Sequence, residues 1–301
     1  MLRNLILGVA GRPIVRRMAT SGPGRAVALR FVAGENLDQG LAVTRALCAE
    51  GFSVALDHLG ENVTSADAAD AAAAVYREAI ERVAAEGLNA TVTLKPTQMG
   101  LDVDAGLAHA NVSKLCAAAA AQGSSLTLDM EDHRYTDRTV EMCLRLDGEF
   151  GGRAGIALQS ALYRTPADLD RLISVPVRLV KGAYKEPPEI GYPRKVDVDR
   201  AYAQMLARLL RDGFYPMIAT HDERLVRYAL RLARQSGRAS DTFEFQMLYG
   251  IRRDLQRRLL DGGSRVRVYV PFGSDWYPYL IRRLAERPAN IGFFLSALIR
   301  S

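Results

Sequence analysis

One pattern constrains this sequence more than any other. A short β-rich run followed by a helix-patterned segment recurs along the chain, with runs at residues 52–58, 90–97, 125–130, 155–161, 175–181, 214–220, 242–248 and 266–270. Most runs are nearly continuous in Val, Ile, Leu and Ala, the composition of strands buried on both faces of a parallel sheet. The intervening segments carry helical spacing. Tyr202, Met205, Leu206, Leu209 and Leu210 form one apolar stripe, with Asp197 placed to cap it and Gly213 to stop it. Leu225, Tyr228, Ala229 and Leu232 form another, ending near Gly237. The eight alternations show no break in composition. They predict an α/β fold, a (βα)8 TIM barrel over residues 51–301 with an N-terminal helical arm over 1–50. The final helix is expected over the barrel mouth. An open doubly wound sheet is the competing architecture.

Composition narrows the class further. The 301 residues are 49% hydrophobic and 25% charged, which excludes collagen-like, disordered and mucin-like chains. A formal charge of +6 is too small an excess for a nucleic-acid binder, but it suits anionic lipid or acidic ligands. Cys48, Cys116 and Cys143 lie far apart with no CxxC pair, which points to a reducing compartment and to neither a disulfide framework nor a structural zinc site. No run approaches the roughly 18 apolar residues of a spanning helix. Arg3, Arg12, Arg16, Arg17, Arg25 and Arg30 all precede the first acid, Glu35. That opening fits a transit peptide, a membrane-surface helix or a solvated arm.

Polar residues gather at the C-terminal ends of the strands, where barrel enzymes keep their chemistry. They are Lys95, Thr97 and Gln98; Asp129, Glu131 and Asp132; Gln159; Arg178 and Lys181; Thr220, His221 and Asp222; and Gln246. A charge in an apolar strand is costly unless it is paired, so Lys95, Asp129, Arg178 and Lys181 are expected to meet partners or a charged ligand in the barrel mouth. Asp129, Glu131, Asp132 and His133 form a dense cluster, but consecutive strand residues face opposite ways, and no metal site is expected. There is neither a GxGxxG nor a GxxxxGK[ST] motif, so a dinucleotide would be held in some other manner. The proline-rich connection over residues 185–196 reads either as a lid or as a stiff surface loop.

Several stretches together resemble the proline dehydrogenase family, flavoenzymes that oxidise L-proline to 1-pyrroline-5-carboxylate. They are Leu56-Asp57-His58-Leu59-Gly60-Glu61-Asn62, Leu128-Asp129-Met130-Glu131-Asp132, Arg178-Leu179-Val180-Lys181-Gly182-Ala183-Tyr184, Ala219-Thr220-His221-Asp222, Glu244-Phe245-Gln246-Met247-Leu248-Tyr249-Gly250 and the segment from Tyr277 to Asn290. The resemblance implies a distorted (βα)8 barrel that binds FAD without a Rossmann motif. It assigns the substrate carboxylate to Lys95, Arg282 and Arg283, whose cations would form charge-assisted bonds in a dry site. It further implies that Asp129 balances that charge, that Leu179, Ala183, Tyr184, Tyr269 and Tyr279 line the pyrrolidine ring, and that Arg178 corresponds to the arginine near flavin N5, the hydride acceptor. FAD contacts are implied at Pro96, Met130, Gln159, Val180, Lys181, Gly182, Ala183, Thr220, His221 and Gln246. Glu286 is implied as a gate paired with a site arginine.

The resemblance further implies a membrane quinone as electron acceptor and a downstream pyrroline-5-carboxylate dehydrogenase. The corresponding location is cytoplasmic, peripherally associated with the inner face of the membrane. At 301 residues the chain is expected to lack the aldehyde dehydrogenase half and DNA-binding arm of bifunctional members. Two positions depart from the family pattern: Lys185 stands where an aromatic is usual, and Asp222 where asparagine is frequent. Competing readings are a Schiff-base aldolase or lyase using Lys95 or Lys181, a lipid-surface adaptor, and a folate reductase-like flavin barrel.

Overall fold

The computed structural model describes residues 29–286, with side chains described up to Ile281. The N-terminal targeting, membrane-helix and solvated-arm expectations for residues 1–28 lie outside the described residues. The chain order is α1 (Leu37–Ala49), β1 (Ser53–His58), α2 (Ala66–Ala85), β2 (Ala90–Leu94), α3 (Ala105–Ala121), β3 (Leu126–Leu128), α4 (Thr136–Phe150), β4 (Ala154–Gln159), α5 (Thr165–Arg171), β5 (Pro176–Val180), α6 (Lys195–Asp212), β6 (Tyr215–Ala219), α7 (Glu223–Gln235), β7 (Glu244–Leu248), α8 (Arg253–Asp261), β8 (Val266–Phe272) and α9 (Trp276–Glu286). A single 3₁₀ turn, His133–Tyr135, precedes α4.

The strands form one closed parallel barrel in sequential order, β8 returning to pair with β1. Each strand divides its residues between two environments. Val54 and Leu56, Val92 and Leu94, Leu126 and Leu128, and Phe245 and Met247 are all buried in one continuous apolar layer shared with the helices. The alternate positions face the barrel interior and are mostly polar. This period of two follows from the pleat, so every strand supplies both the helix-facing core and the interior.

Local chemistry fixes the helix ends. Ser65, Asp104 and Asp222 accept backbone N–H groups at the starts of α2, α3 and α7, satisfying donors that a helix leaves unpaired. Gly151, at φ 50°, closes α4 in the left-handed region. The expected Asp197 cap is not formed. The helix α6 begins three residues earlier than that cap would set, at Lys195, so Asp197 lies in its first turn and binds Arg194 instead. Gly213 does terminate α6.

Several strand ends also differ from expectation, β2 and β8 among them. β2 stops at Leu94 because residues 95–101 turn sharply, with Gln98 N donating to Lys95 O at 3.0 Å and Met99 N to Pro96 O at 3.1 Å. β8 runs on to Phe272, since Pro271 and Phe272 stay in register with Asp57 and His58.

Helix α1 buries Leu37, Leu41 and Leu47 in the main core and approaches β8 closely, with Gly40 directly against Phe272. Helix α9 packs elsewhere. Its Trp276, Tyr277, Tyr279, Leu280 and Ile281 form a second apolar cluster with Phe31, Val32, Leu59 and Ile251. Leu59 and Ile251 follow the C-terminal ends of β1 and β7, so α9 lies over the barrel mouth. The segment before α1 crosses the same end: Ala33 N donates to Pro271 O at 2.8 Å, and Gly273 N to Gly34 O at 2.9 Å. Gly250 (φ 73°) allows this crossing, because a Cβ there would stand 1.8 Å from Arg30 O.

Candidate active site

The upper interior of the barrel is organised around two buried ion pairs. Arg178 from β5 pairs with Asp129, which follows β3. Its Nε donates to Gln246 Oε1 at 2.6 Å, and its Nη1 also donates to Thr93 Oγ1 at 3.0 Å. Thr93 Oγ1 donates to Asp129 Oδ1 at 2.8 Å, and Tyr269 OH donates to Asp129 Oδ2 at 2.7 Å. The guanidinium lies over the Tyr269 ring, 5.5 Å from its centroid. Burial, reinforced by Asp129, holds the Tyr269 phenol well above its ordinary pKa, so it remains a donor. Arg178 Nη2 is buried and meets no acceptor among the described residues. A guanidinium fixed on two nitrogens, with its third buried and unpartnered among the described residues, is arranged to receive a ligand acceptor.

Below this layer, Gln246 Nε2 donates to Glu244 Oε1 at 2.5 Å, and Arg267 donates to both Glu244 oxygens at 2.7 and 3.0 Å. Burial opposes the Glu244 charge, but Arg267 outweighs it and holds the carboxyl below its usual range. Glu244 is therefore an acceptor only, which turns the Gln246 amide with its oxygen toward Arg178.

The second pair joins Lys95, just beyond β2, to Asp57 on β1, with Nζ 3.1 and 3.4 Å from the two carboxylate oxygens. Both side chains are buried. Tyr76 from α2 stands behind, its OH 3.4 Å from Asp57 Oδ1 and accepting His58 N–H at 3.1 Å. Burial disfavours the Lys95 ammonium, yet the attraction of Asp57 and then Asp129 exceeds it and raises the Lys95 pKa. An amine held protonated in this way is a poor nucleophile, which weakens the Schiff-base reading for Lys95.

Around the rim, Pro96, Met130, Gln159, Val180, Lys181, Gly182, Ala183, Thr220 and His221 fall at the C-terminal ends of β2 to β6, a part-ring at one end of the barrel, while Gln246 lies deeper, midway along β7. Glu131 accepts Thr97 Oγ1 at 2.6 Å and Thr97 N at 3.1 Å, while its carbonyl accepts Gln159 Nε2 at 2.8 Å. Burial pushes the Glu131 pKa up to about 7. His221 Nε2 accepts Leu248 N–H at 3.0 Å. Gly182 adopts φ 112°, and a Cβ there would stand 3.0 Å from Gln159 Oε1 and 3.1 Å from Ala161 Cβ. Its exposed backbone is open to close approach by a ligand.

Some expected members are placed elsewhere. Leu179 does not face the interior. Arg178 points inward, so the next residue points outward, and Leu179 is buried in the core under the helices. Leu248, at the end of β7, is instead packed against the mouth cluster that contains Tyr279. Lys181 does not join the interior charges either. It leaves the barrel end to pair with Asp199 of α6 at 2.6 Å and Asp222 at 3.6 Å. Tyr279 is buried in the mouth cluster, and Tyr184 is half-buried in the turn after β5. Arg282, Arg283 and Glu286 belong to α9, but their side chains lie outside the described residues.

The acidic cluster after β3 disperses. Asp129 turns to Arg178, Glu131 to Thr97, Asp132 to Arg134 at 2.6 Å and His133 to Glu186 at 2.5 Å. In the structure the proline-rich connection is tied to the turn after β4, with Tyr192 N donating to Ala161 O at 2.8 Å and Tyr163 N to Ile190 O at 3.0 Å. Asp57 was not singled out from the sequence. The signal was present, because an acid directly after the apolar run Val54-Ala55-Leu56 meets the criterion that identified Asp129.

Comparison with known proteins agrees with this architecture. The sequence profile of the family described as Proline dehydrogenase matches residues 41–295. The chain is 40% identical over 306 residues to the Proline dehydrogenase of Deinococcus radiodurans, covering 100% of this chain and 98% of that protein. It is 37% identical over 300 residues to Proline dehydrogenase 2 of Bacillus subtilis, covering 99% of each. A solved structure of proline utilization A from Bdellovibrio bacteriovorus, inactivated by N-propargylglycine, superposes with a TM-score of 0.82 at 25% identity over 87% of this chain. The present chain spans 33% of that longer protein. The profile match and the full-length relatives show that the chain belongs to the proline dehydrogenase family.

Proposed function

We propose that this protein oxidises L-proline to 1-pyrroline-5-carboxylate with FAD as cofactor and a membrane quinone as final electron acceptor. Membership of the family implies a flavin in general. The single observation that carries the reading is the Arg178 guanidinium, buried and locked by Asp129, Thr93 and Gln246 with Nη2 directed at no acceptor among the described residues. A flavin fits the residues present: Gly182 and its neighbours offer backbone approach, Gln159, Thr220 and His221 stand at the same rim, and Gln246 lies below it against Arg178.

Bound FAD supplies the acceptor for the hydride leaving the ring carbon next to the proline nitrogen. The protein's residues do the rest. Lys95, joined by Arg282 and Arg283 of α9, holds the substrate carboxylate and so fixes the ring's orientation. Arg178 places positive charge where negative charge develops, and Asp129 keeps it aimed. Tyr269 and the apolar cluster of α9 exclude water from the mouth. A pyrroline-5-carboxylate dehydrogenase is the proposed consumer of the product, and the proposed location is cytoplasmic against the inner membrane face. Among the described residues no helix is long and apolar enough to cross a membrane.

The test is anaerobic addition of L-proline to the purified yellow protein. Loss of the flavin absorbance is expected, and N-propargylglycine is expected to inactivate the enzyme. A colourless protein that takes up no flavin, but is trapped by borohydride with a carbonyl compound, would establish the aldolase reading instead. Arg282→Ala or Arg283→Ala is expected to raise the proline KM steeply while FAD stays bound.

A further inference from the structure

We infer that Asp57 is a positioning residue for Lys95, holding the ammonium in one direction at the barrel mouth so that its remaining N–H meets a substrate carboxylate. This rests on the reading of Lys95 as a carboxylate ligand. The geometry is specific. Lys95 Nζ lies 3.1 and 3.4 Å from the two Asp57 oxygens, so Asp57 engages at most two of the three ammonium N–H groups. Asp57 is itself fixed from behind. Its backbone pairs in register with Thr93 on β2 and Pro271 on β8, and the Tyr76 hydroxyl stands 3.4 Å from Oδ1. Tyr76 is in turn held, with His58 O and Gln98 Oε1 each 3.2 Å away. A lysine stem is flexible and its ammonium strongly hydrated, so a buried lysine keeps neither direction nor charge without such a partner.

The charged groups around Lys95 come from several elements. Asp57 and His58 stand on β1, Asp129 and Glu131 at the end of β3, and Glu61 in the connection after β1. Arg178 of β5 reaches the same layer but is committed to Asp129. Asp57 is the one in direct contact with Nζ, and it contributes more than Asp129 to keeping the amine protonated against burial. Replacing it with a neutral isostere leaves the burial and removes the main compensation. Lys95 then loses its proton at lower pH, and carboxylate binding weakens with it.

The probe is cyclopentanecarboxylate, a proline-shaped carboxylate with no nitrogen, whose own charge is constant over the working range. Its affinity for the FAD-loaded protein is measured by calorimetry between about pH 6.5 and 9.5, where ordinary carboxylates are fully ionised. The wild type is expected to give a flat profile. Asp57→Asn is expected to bind progressively more weakly as pH rises through the lowered Lys95 transition, levelling off at the affinity that the arginines of α9 supply alone. Asp57→Glu is expected to restore the flat profile, and Tyr76→Phe to show a smaller shift in the same direction. Asp57→Ser carries the same expectation if the asparagine variant does not fold. Acetic anhydride labelling read by mass spectrometry gives an independent measure, with Lys95 modified at mildly alkaline pH in the variant and spared in the wild type. Identical flat profiles in wild type and Asp57→Asn overturn the role of Asp57. A wild type that binds the probe at no pH overturns instead the carboxylate role of Lys95 on which the inference rests.

Discussion

Asp129 and Arg178 meet across an intervening strand. Asp129 follows β3 and Arg178 stands midway along β5, and the residue between them in register is Ala157 of β4, paired directly with Arg178 and one step beyond the Leu128–Ile156 pairing. A methyl group is small enough for the ion pair to close over it. The polar centre of the barrel therefore depends on a residue with no polar chemistry of its own.

Ala157→Leu is expected to separate the pair. The added carbons have no space, and overpacking of this kind costs about 1–3 kcal/mol of stability. Activity should fall much further, by about two orders of magnitude, because Arg178 loses its aim. A thermal melt combined with proline kinetics checks the two effects separately. Wild-type kcat/KM in a folded variant would contradict the assignment.

Arg178→Lys keeps one positive charge but removes the planar fork that engages Gln246, Thr93 and Asp129 together. The expected loss in kcat/KM is about 10²–10³-fold, the range for removing one preorganised donor from a reacting centre. Steady-state kinetics at saturating cofactor gives the value. A loss confined to KM would assign Arg178 to substrate binding alone.

Glu131 links stability to pH. Its folded pKa of about 7 lies above the ordinary carboxylate value because burial penalises the charge. The native state therefore holds its proton where the unfolded chain has lost it. The stabilisation is fully present below the ordinary glutamate range and disappears as pH rises through about 7, amounting to roughly 3 kcal/mol across that window. Glu131→Gln should flatten the fall in stability between those limits, as measured by denaturant unfolding at several pH values. An unchanged slope would place the titration elsewhere.

Gly182→Ala introduces a Cβ at φ 112°, within 3.0 Å of Gln159 Oε1 and 3.1 Å of Ala161 Cβ. Backbone strain of this kind costs about 1–3 kcal/mol. Because the strain falls on the turn proposed to approach the cofactor, flavin affinity should drop at least about tenfold, as 1.4 kcal/mol corresponds to a factor of ten. Flavin content after dialysis and fluorescence titration measure it. Full retention would move the cofactor away from this turn.

The barrel was legible in the linear order. Eight apolar runs alternating with helical stripes leave few alternatives, because strand and helix periodicities follow from local geometry that each segment carries by itself. The need for Asp129, Arg178 and Lys95 to be paired was legible too, since a charge in an apolar strand requires a partner wherever the fold brings one. Which partner was not. That Lys95 turns to Asp57, that Lys181 leaves the interior for Asp199, and that Leu248 rather than Leu179 reaches the mouth cluster depend on register and on which face of a strand closes inward. These are properties of the closed sheet. A shift of one residue in any strand would exchange its interior and helix-facing side chains, and only the packing of all eight strands together fixes that choice.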